Sequence, residues 1–145
     1  DIVRDQYDLA LIDCPPDLNI GVVNALCASN DVLIPVEIDD NTTEGMEELW
    51  QQINKIKRRL NPDLEIVKCF ITKYQKYNEA HKQGIEAVRK YYPTMKTVIR
   101  TSPIVAKSTF VKEPVTKYSP RAAASVDYEL LVTEYLEMIG EKQNG

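Results

Sequence analysis

Two short runs, "DLALID" (8–13) and "DVLIPVE" (31–37), are apolar at almost every interior position, and nothing else in the chain limits its fold as strongly. A strand with one wet face alternates apolar and polar residues. A run that is apolar on both faces needs cover on both, and that is the habit of parallel strands sandwiched between helices. Two further segments, "EIVKCFIT" (65–72) and "KTVIR" (96–100), are β-branched, flanked by turn signals, and read as strands as well.

Helical patterns lie between and after these runs. Met46, Leu49, Ile53, Ile56 and Leu60 recur at three- and four-residue steps, with Asn41 and Glu44 placed as a variant capping box and Asn61-Pro62 as the stop. Residues 18–28 read as a short helix, and Ile85, Val88 and Tyr92 stripe another. The last helix is expected to open with Ser119 as cap and Pro120 at its first position. It should show Tyr128, Leu131, Tyr135 and Ile139 on one face and close at Gly140. Alternation of this kind predicts an α/β fold, a mostly parallel sheet flanked by helices and joined by right-handed crossovers. At 145 residues, without repeats or linkers, the chain is a single domain's worth of material.

Several functions can be set aside. No apolar run reaches the roughly 18 residues of a membrane span, and "DIVRDQYD" has neither the basic start nor the apolar centre of a signal peptide, so a cytoplasmic location is expected. Cys14, Cys27 and Cys69 are odd in number and widely spaced, which suits reduced thiols rather than a disulfide framework or a zinc site. His81, the single histidine, has no ligand or triad partner at useful spacing. Trp50 and the tyrosines read as packing residues, and Glu37, Asp39 and Asp40 as an acidic loop, with a role at a dimer or nucleotide face as the other option.

The formal charge of −4 is unevenly spread. Residues 1–50 hold twelve acids against Arg4 alone, whereas residues 68–121 hold twelve bases against Glu79, Glu86 and Glu113. Two readings fit a basic middle in an acidic chain: one face for a polyanion, or lysines scattered over solvated helix faces.

The chemistry concentrates in "LALIDCPPD" (9–17). Ligands of open parallel sheets bind beyond the carboxyl ends of the strands, and Asp13 stands at such an end. An acid there can support a magnesium ion beside the phosphates of a nucleotide, often through a water, with Pro15 and Pro16 stiffening the turn that follows. The alternative is an aspartate that caps the next helix or bonds its own turn.

The stretch "YDLALIDCPPDLNIGVVNALCASNDVLIPVEIDDNTTEGMEEL" resembles, without a gap, the "YD-(apolar)-IDCPPSLG…NAL..AD.VLIPV…..EGL" block of the ParA family of chromosome and plasmid partition ATPases. Further on, "PVTKYSPRAAASVDY" is similar to that family's "PV..YDPRS.GA..Y", with Pro114, Tyr118, Pro120, Arg121 and Tyr128 in matching places. The resemblance covers about residues 7–140. It implies a deviant Walker P-loop ATPase that uses ATP and Mg2+, forms a homodimer around ATP, binds nonspecific DNA in that state and is released by a ParB-like stimulating partner. A nucleoid-associated cytoplasmic protein is implied, with no membrane partner. Asp13 matches the Walker B aspartate that supports Mg2+, and Cys14, Pro15 and Pro16 match the switch after it. Thr72 and Lys73 fall where the family contacts the base, and Arg100 follows the backbone that closes the adenine pocket. Arg89, Lys90, Lys107, Lys112 and Arg121 are the expected DNA contacts.

Departures from the pattern are specific. Asp17 stands where serine is usual, Arg100-Thr101 replaces Pro-Arg, and Lys107 replaces a common glutamate. No Gly-Lys-Ser/Thr occurs, so the P-loop lysines and the family's catalytic aspartate have no counterpart and no catalytic residue is assigned. The chain therefore reads as the C-terminal half of the P-loop fold, lacking the P-loop strand: one partial domain over 1–145, inactive in ATP hydrolysis by itself. In the family's strand order, 3-2-4-1-5-6-7, the strand carrying Asp13 lies between two strands that are missing here. A fragment should then either close the gap in its own sheet or pair edges with another copy. Two alternatives remain open: a non-catalytic interaction module that keeps the fold, and a MinD-like membrane-associated ATPase, against which the acidic end "YELLVTEYLEMIGEKQNG" argues.

Overall fold

The computed structural model describes residues 6–15, 18–39 and 42–143. Helix α1 (Ile20–Ala28) leads into strand β1 (Asp31–Glu37), helix α2 (Thr42–Arg59), strand β2 (Glu65–Tyr74), helix α3 (Glu79–Tyr91) and strand β3 (Thr94–Arg100). Three helices follow without a further strand: α4 (Pro103–Phe110), α5 (Val115–Tyr118) and α6 (Ala123–Gln143). The strands pair in parallel in the order β1-β2-β3, with Ile34 beside Cys69 and Ile71 beside Val98. The sheet flanked by helices that the apolar runs predict is therefore present.

Local chemistry sets the helix starts. The Asn19 side chain accepts from the Gly21 and Val22 N–H groups at 2.9 and 3.2 Å, and Asn78 does the same for Ala80 and His81 at 3.0 and 3.4 Å. Ser102 caps α4 with Pro103 in its first turn, the pairing that the sequence places at Ser119-Pro120 for the last helix. Ser119 instead ends α5. The buried Ser125 hydroxyl donates to the Val115 and Ser119 carbonyls at 3.0 and 2.7 Å, which holds residues 119–122 as a turn and delays α6 to Ala123. At the other end α6 runs through Gly140, because that glycine keeps a helical φ and no left-handed cap forms there. The expected cap Asn41 lies outside the described residues.

The two faces of the sheet carry separate cores. Val22 and Leu26 of α1, Met46, Ile53 and Ile56 of α2, and Ile85 and Val88 of α3 bury Ile34, Val36, Cys69 and Ile71 on one side. Leu60, expected on the α2 stripe, is exposed because the helix has ended before it. Gly84 of α3 approaches Ile38 so closely that a Cβ would stand 2.3 Å from its Cγ2, so this crossing tolerates no side chain. On the other side α6 alone covers Met95 and Ile99 with Leu131, supported by Tyr128, Tyr135 and Met138.

The segment 8–13 is not a strand. It runs as coil with Leu9, Leu11 and Ile12 at 47, 84 and 54% exposure. Its apolar pattern is that of a buried strand, but the ladder is built by neighbours, and no described strand lies beside it. The sheet ends at β1 on that side, so the chain does not repair its own sheet with this segment.

Candidate functional site: the carboxyl edge of the sheet

All three strands end on one edge, and their last residues converge. Thr72 donates from its hydroxyl to the Val36 carbonyl at 3.3 Å, tying β2 to β1. Lys73 adopts φ 52°, a left-handed conformation costly for a residue with a Cβ, and its Nζ meets Glu37 Oε2 at 2.5 Å. Thr101 closes the edge from β3: its hydroxyl donates to the Lys73 carbonyl at 2.6 Å and its N–H to the Tyr74 carbonyl at 2.9 Å. Strained backbone at a strand end is a common mark of a functional edge.

Beside these ends lies an open cleft of about 630 Å3 lined by Tyr74, Gln75, Tyr77, Asn78, Arg100 and Thr101, among others. Residues 74–79, at the end of β2 and in the loop into α3, line it together with Arg100 and Thr101. A flat heteroaromatic ring with hydrogen-bonding edges suits such a surface. Of the three residues expected near a base, Arg100 lines this cleft, while Thr72 and Lys73 lie just before it at the end of β2.

Arg100 itself is committed elsewhere. Its Nε and NH2 groups hold Asp127 of α6 at 2.8 and 2.7 Å, and its backbone N–H donates to the same carboxylate at 3.0 Å. Burial pushes the Asp127 carboxyl up, but the Arg100 hydrogen bonds outweigh it and the net shift is downward. One turn pair further along, Glu134 accepts from the Lys96 and Thr97 N–H groups at 2.8 and 2.9 Å. Its carboxyl is also lowered: burial raises it, and the two backbone donors overcome that. Asp127 and Glu134, seven residues apart on one face of α6, thereby satisfy the outward amides of an edge strand. The sequence reading missed both, since nothing in the residues around them marks an acid that will meet backbone amides.

The remaining expected residues are dispersed. Asp13, Cys14 and Pro15 lie exposed in the coil 9–15, and Pro16 is outside the described residues. No group of three His, Cys, Asp or Glu able to hold a metal occurs among the described residues. Asp13 alone therefore fits only a supporting contact to a phosphate-bound magnesium, a metal that takes few protein carboxylates in any case. Arg89 and Lys90 end α3, where Arg89 donates to the Lys96 carbonyl at 3.0 Å, near the start of β3. Lys107, Lys112 and Arg121 follow the end of β3. The first pair therefore sits at the start of β3 and the other three beyond its end. Cys14, Cys27 and Cys69 are free, and burial pushes the Cys69 thiol up to about 11, leaving it unreactive. Among the described residues no helix is long and apolar enough to cross a membrane.

A family model described as an AAA domain matches residues 1–66. The chain is 33% identical over 134 residues to the sporulation initiation inhibitor protein Soj of Bacillus subtilis, covering 91% of this chain and 53% of that protein. It is 30% identical over 142 residues to the chromosome-partitioning ATPase Soj of Treponema pallidum (97% and 56%), and 31% over 139 residues to the chromosome partitioning protein ParA of Caulobacter vibrioides (94% and 52%). The chain thus spans about half the length of these relatives. In fold it is similar to cobyrinic acid a,c-diamide synthase from Mycobacterium smegmatis, with TM-score 0.65 and 23% identity over 70% of this chain and 42% of that one. That enzyme has been solved with ADP and magnesium and with an ATP analogue and magnesium. These identities run through nearly its whole length, and the chain is therefore similar throughout to about half of the ParA/Soj chromosome-partitioning proteins.

Proposed function

We propose that this chain is the C-terminal part of a ParA-type ATPase and works only together with the half of the fold that carries the P-loop. One observation carries the reading: identity to partition proteins extends over more than nine-tenths of this chain but only about half of theirs. In the intact protein ATP and Mg2+ bind along the carboxyl edge of the sheet. The cleft beside Tyr74 and Thr101 takes the base, with Thr72 and Lys73 at its border, while Asp13 supports the magnesium and Cys14, Pro15 and Pro16 relay the state of the phosphates. The metal offsets phosphate charge when bound. Arg100 acts through Asp127, keeping the end of β3 in place rather than touching the base with its guanidinium.

The same reading gives an ATP-dependent homodimer that binds DNA without sequence preference at the nucleoid, in the cytoplasm, and is released by a ParB-like partner. Of the five cations expected at DNA, Lys107, Lys112 and Arg121 make the primary face, beyond the carboxyl end of β3. Arg89 and Lys90 contact DNA only as a second, separate point.

The test is ATP turnover by the protein continuous with its upstream sequence. Turnover that falls at least a hundredfold with Asp13→Ala, and is absent from the 145-residue chain, supports the proposal. Turnover by the 145-residue chain itself, or turnover indifferent to Asp13→Ala in the longer protein, refutes it.

A further inference from the structure

Helix α4 ends in a knuckle that is built at some cost. Its cap is Val111; the Lys112 N–H donates to the Thr109 carbonyl at 3.1 Å and the Glu113 N–H to the Ser108 carbonyl at 3.0 Å. This is a Schellman closure, whose left-handed position is normally glycine. Here it is Lys112 at φ 56°. A side chain at that position strains the backbone, and glycine would relieve it. What the strain retains is a cation at the apex of the turn.

Immediately before it, Phe110 is 86% exposed and Val111 50%. Phe110 lies three residues from Lys107, hence on the same side of α4. Between Pro103 and Arg121 the only acid is Glu113, and that is paired with Lys117 at 3.2 Å. The outcome is an exposed aromatic ring beside a left-handed turn, with Lys112 two residues and Lys107 three residues away in sequence. The charge of this segment favours a polyanion over a cationic partner.

We infer that Phe110 is an apolar wedge, inserted at a base step of duplex DNA while Lys107 and Lys112 hold the flanking phosphates. The inference rests on the DNA-binding reading above and adds to it a contact that is not electrostatic. Apolar side chains set among cations partly unstack a base step in this way in many architectural proteins, and they do so without reading sequence. Such a contact gives affinity that salt does not screen, whereas the lysines give affinity that falls with salt through counterion release.

The experiment is a salt titration of duplex binding by fluorescence anisotropy with ATP and Mg2+ present, using the protein continuous with its upstream sequence and its variants Phe110→Ala, Lys112→Gly and the double variant Lys107→Glu/Lys112→Glu. Phe110→Ala is expected to weaken binding about tenfold at every salt concentration and to leave the slope of log affinity against log salt unchanged. Lys112→Gly should reduce that slope by about one while raising thermal stability. Phe110→Trp supplies a direct reading: its emission should be quenched on adding duplex, against the constant background of Trp50, which packs on Tyr92. Binding that depends on the lysines but is indifferent to Phe110→Ala, with no quenching, overturns the wedge and leaves the DNA reading standing. Absence of salt-sensitive binding in the parent protein with ATP overturns both.

Discussion

The two edges of the sheet are finished differently. At the β3 edge, α6 lies across the strand and its carboxylates take the outward N–H groups of Lys96, Thr97 and Arg100. At the β1 edge no described strand or helix takes that role, and the apolar segment 8–13 stands exposed nearby in sequence. A parallel sheet buried on both faces cannot end on a bare strand in water without inviting another strand to pair. Among the described residues one edge is therefore walled by α6, and the other, in the function proposed above, is the seam to the half that carries the P-loop.

Removing the wall should have the largest effect. Asp127→Ala leaves the Arg100 guanidinium and N–H without their acceptor beneath α6, and should destabilise the chain by about 2–3 kcal/mol in urea unfolding. A change below about 0.5 kcal/mol would mean that α6 is held by Leu131 and its apolar neighbours alone. Glu134→Ala should cost less, about 1–2 kcal/mol, because the two amides it frees are nearer water.

The same wall should be sensitive to acid. Both carboxyls lie below their ordinary values when folded, so the stability they contribute is complete above the unfolded pKa of about 4 and is lost as pH falls through the folded values. Melting temperature should drop on acidification below about pH 4, and Asp127→Asn should flatten that drop. An unchanged pH profile in the variant would detach the pair from stability.

The smallest effect belongs to the seam in isolation. Sedimentation of the 145-residue chain should show weight-average mass rising above 16.6 kDa with concentration, as copies pair at β1, and Leu11→Lys should reduce the rise. A constant monomer mass across the accessible range would show that the edge is protected in some other way.

How much of this was readable from the residues follows from what each signal encodes. Strand β1 was legible to the residue at Asp31–Glu37, because a run apolar on both faces has few other homes. The same logic failed at 8–13, where composition reports the burial a segment is suited to and cannot report whether its neighbours exist. Helix α4 was hidden because the residue that ends it in the left-handed position is Lys112 rather than glycine. Ser-Pro occurs at both 102–103 and 119–120, and only the tertiary bonds of Ser125 decide which one starts a helix. Asp127 and Glu134 read as ordinary surface acids, since an acid beside an apolar stripe gives no hint that backbone amides await it.

The seam can be tested by following amide hydrogen exchange along residues 8–13 and β1, in the 145-residue chain and in the protein continuous with its upstream sequence. The expected result is fast exchange at 8–13 and at the outward amides of β1 in the chain alone, slow exchange at Lys96, Thr97 and Arg100, and protection of the first two regions when the upstream half is present. Slow exchange at both edges in the chain alone would contradict it, for the sheet would then be complete as it stands and the proposed junction with a P-loop half would have no seam.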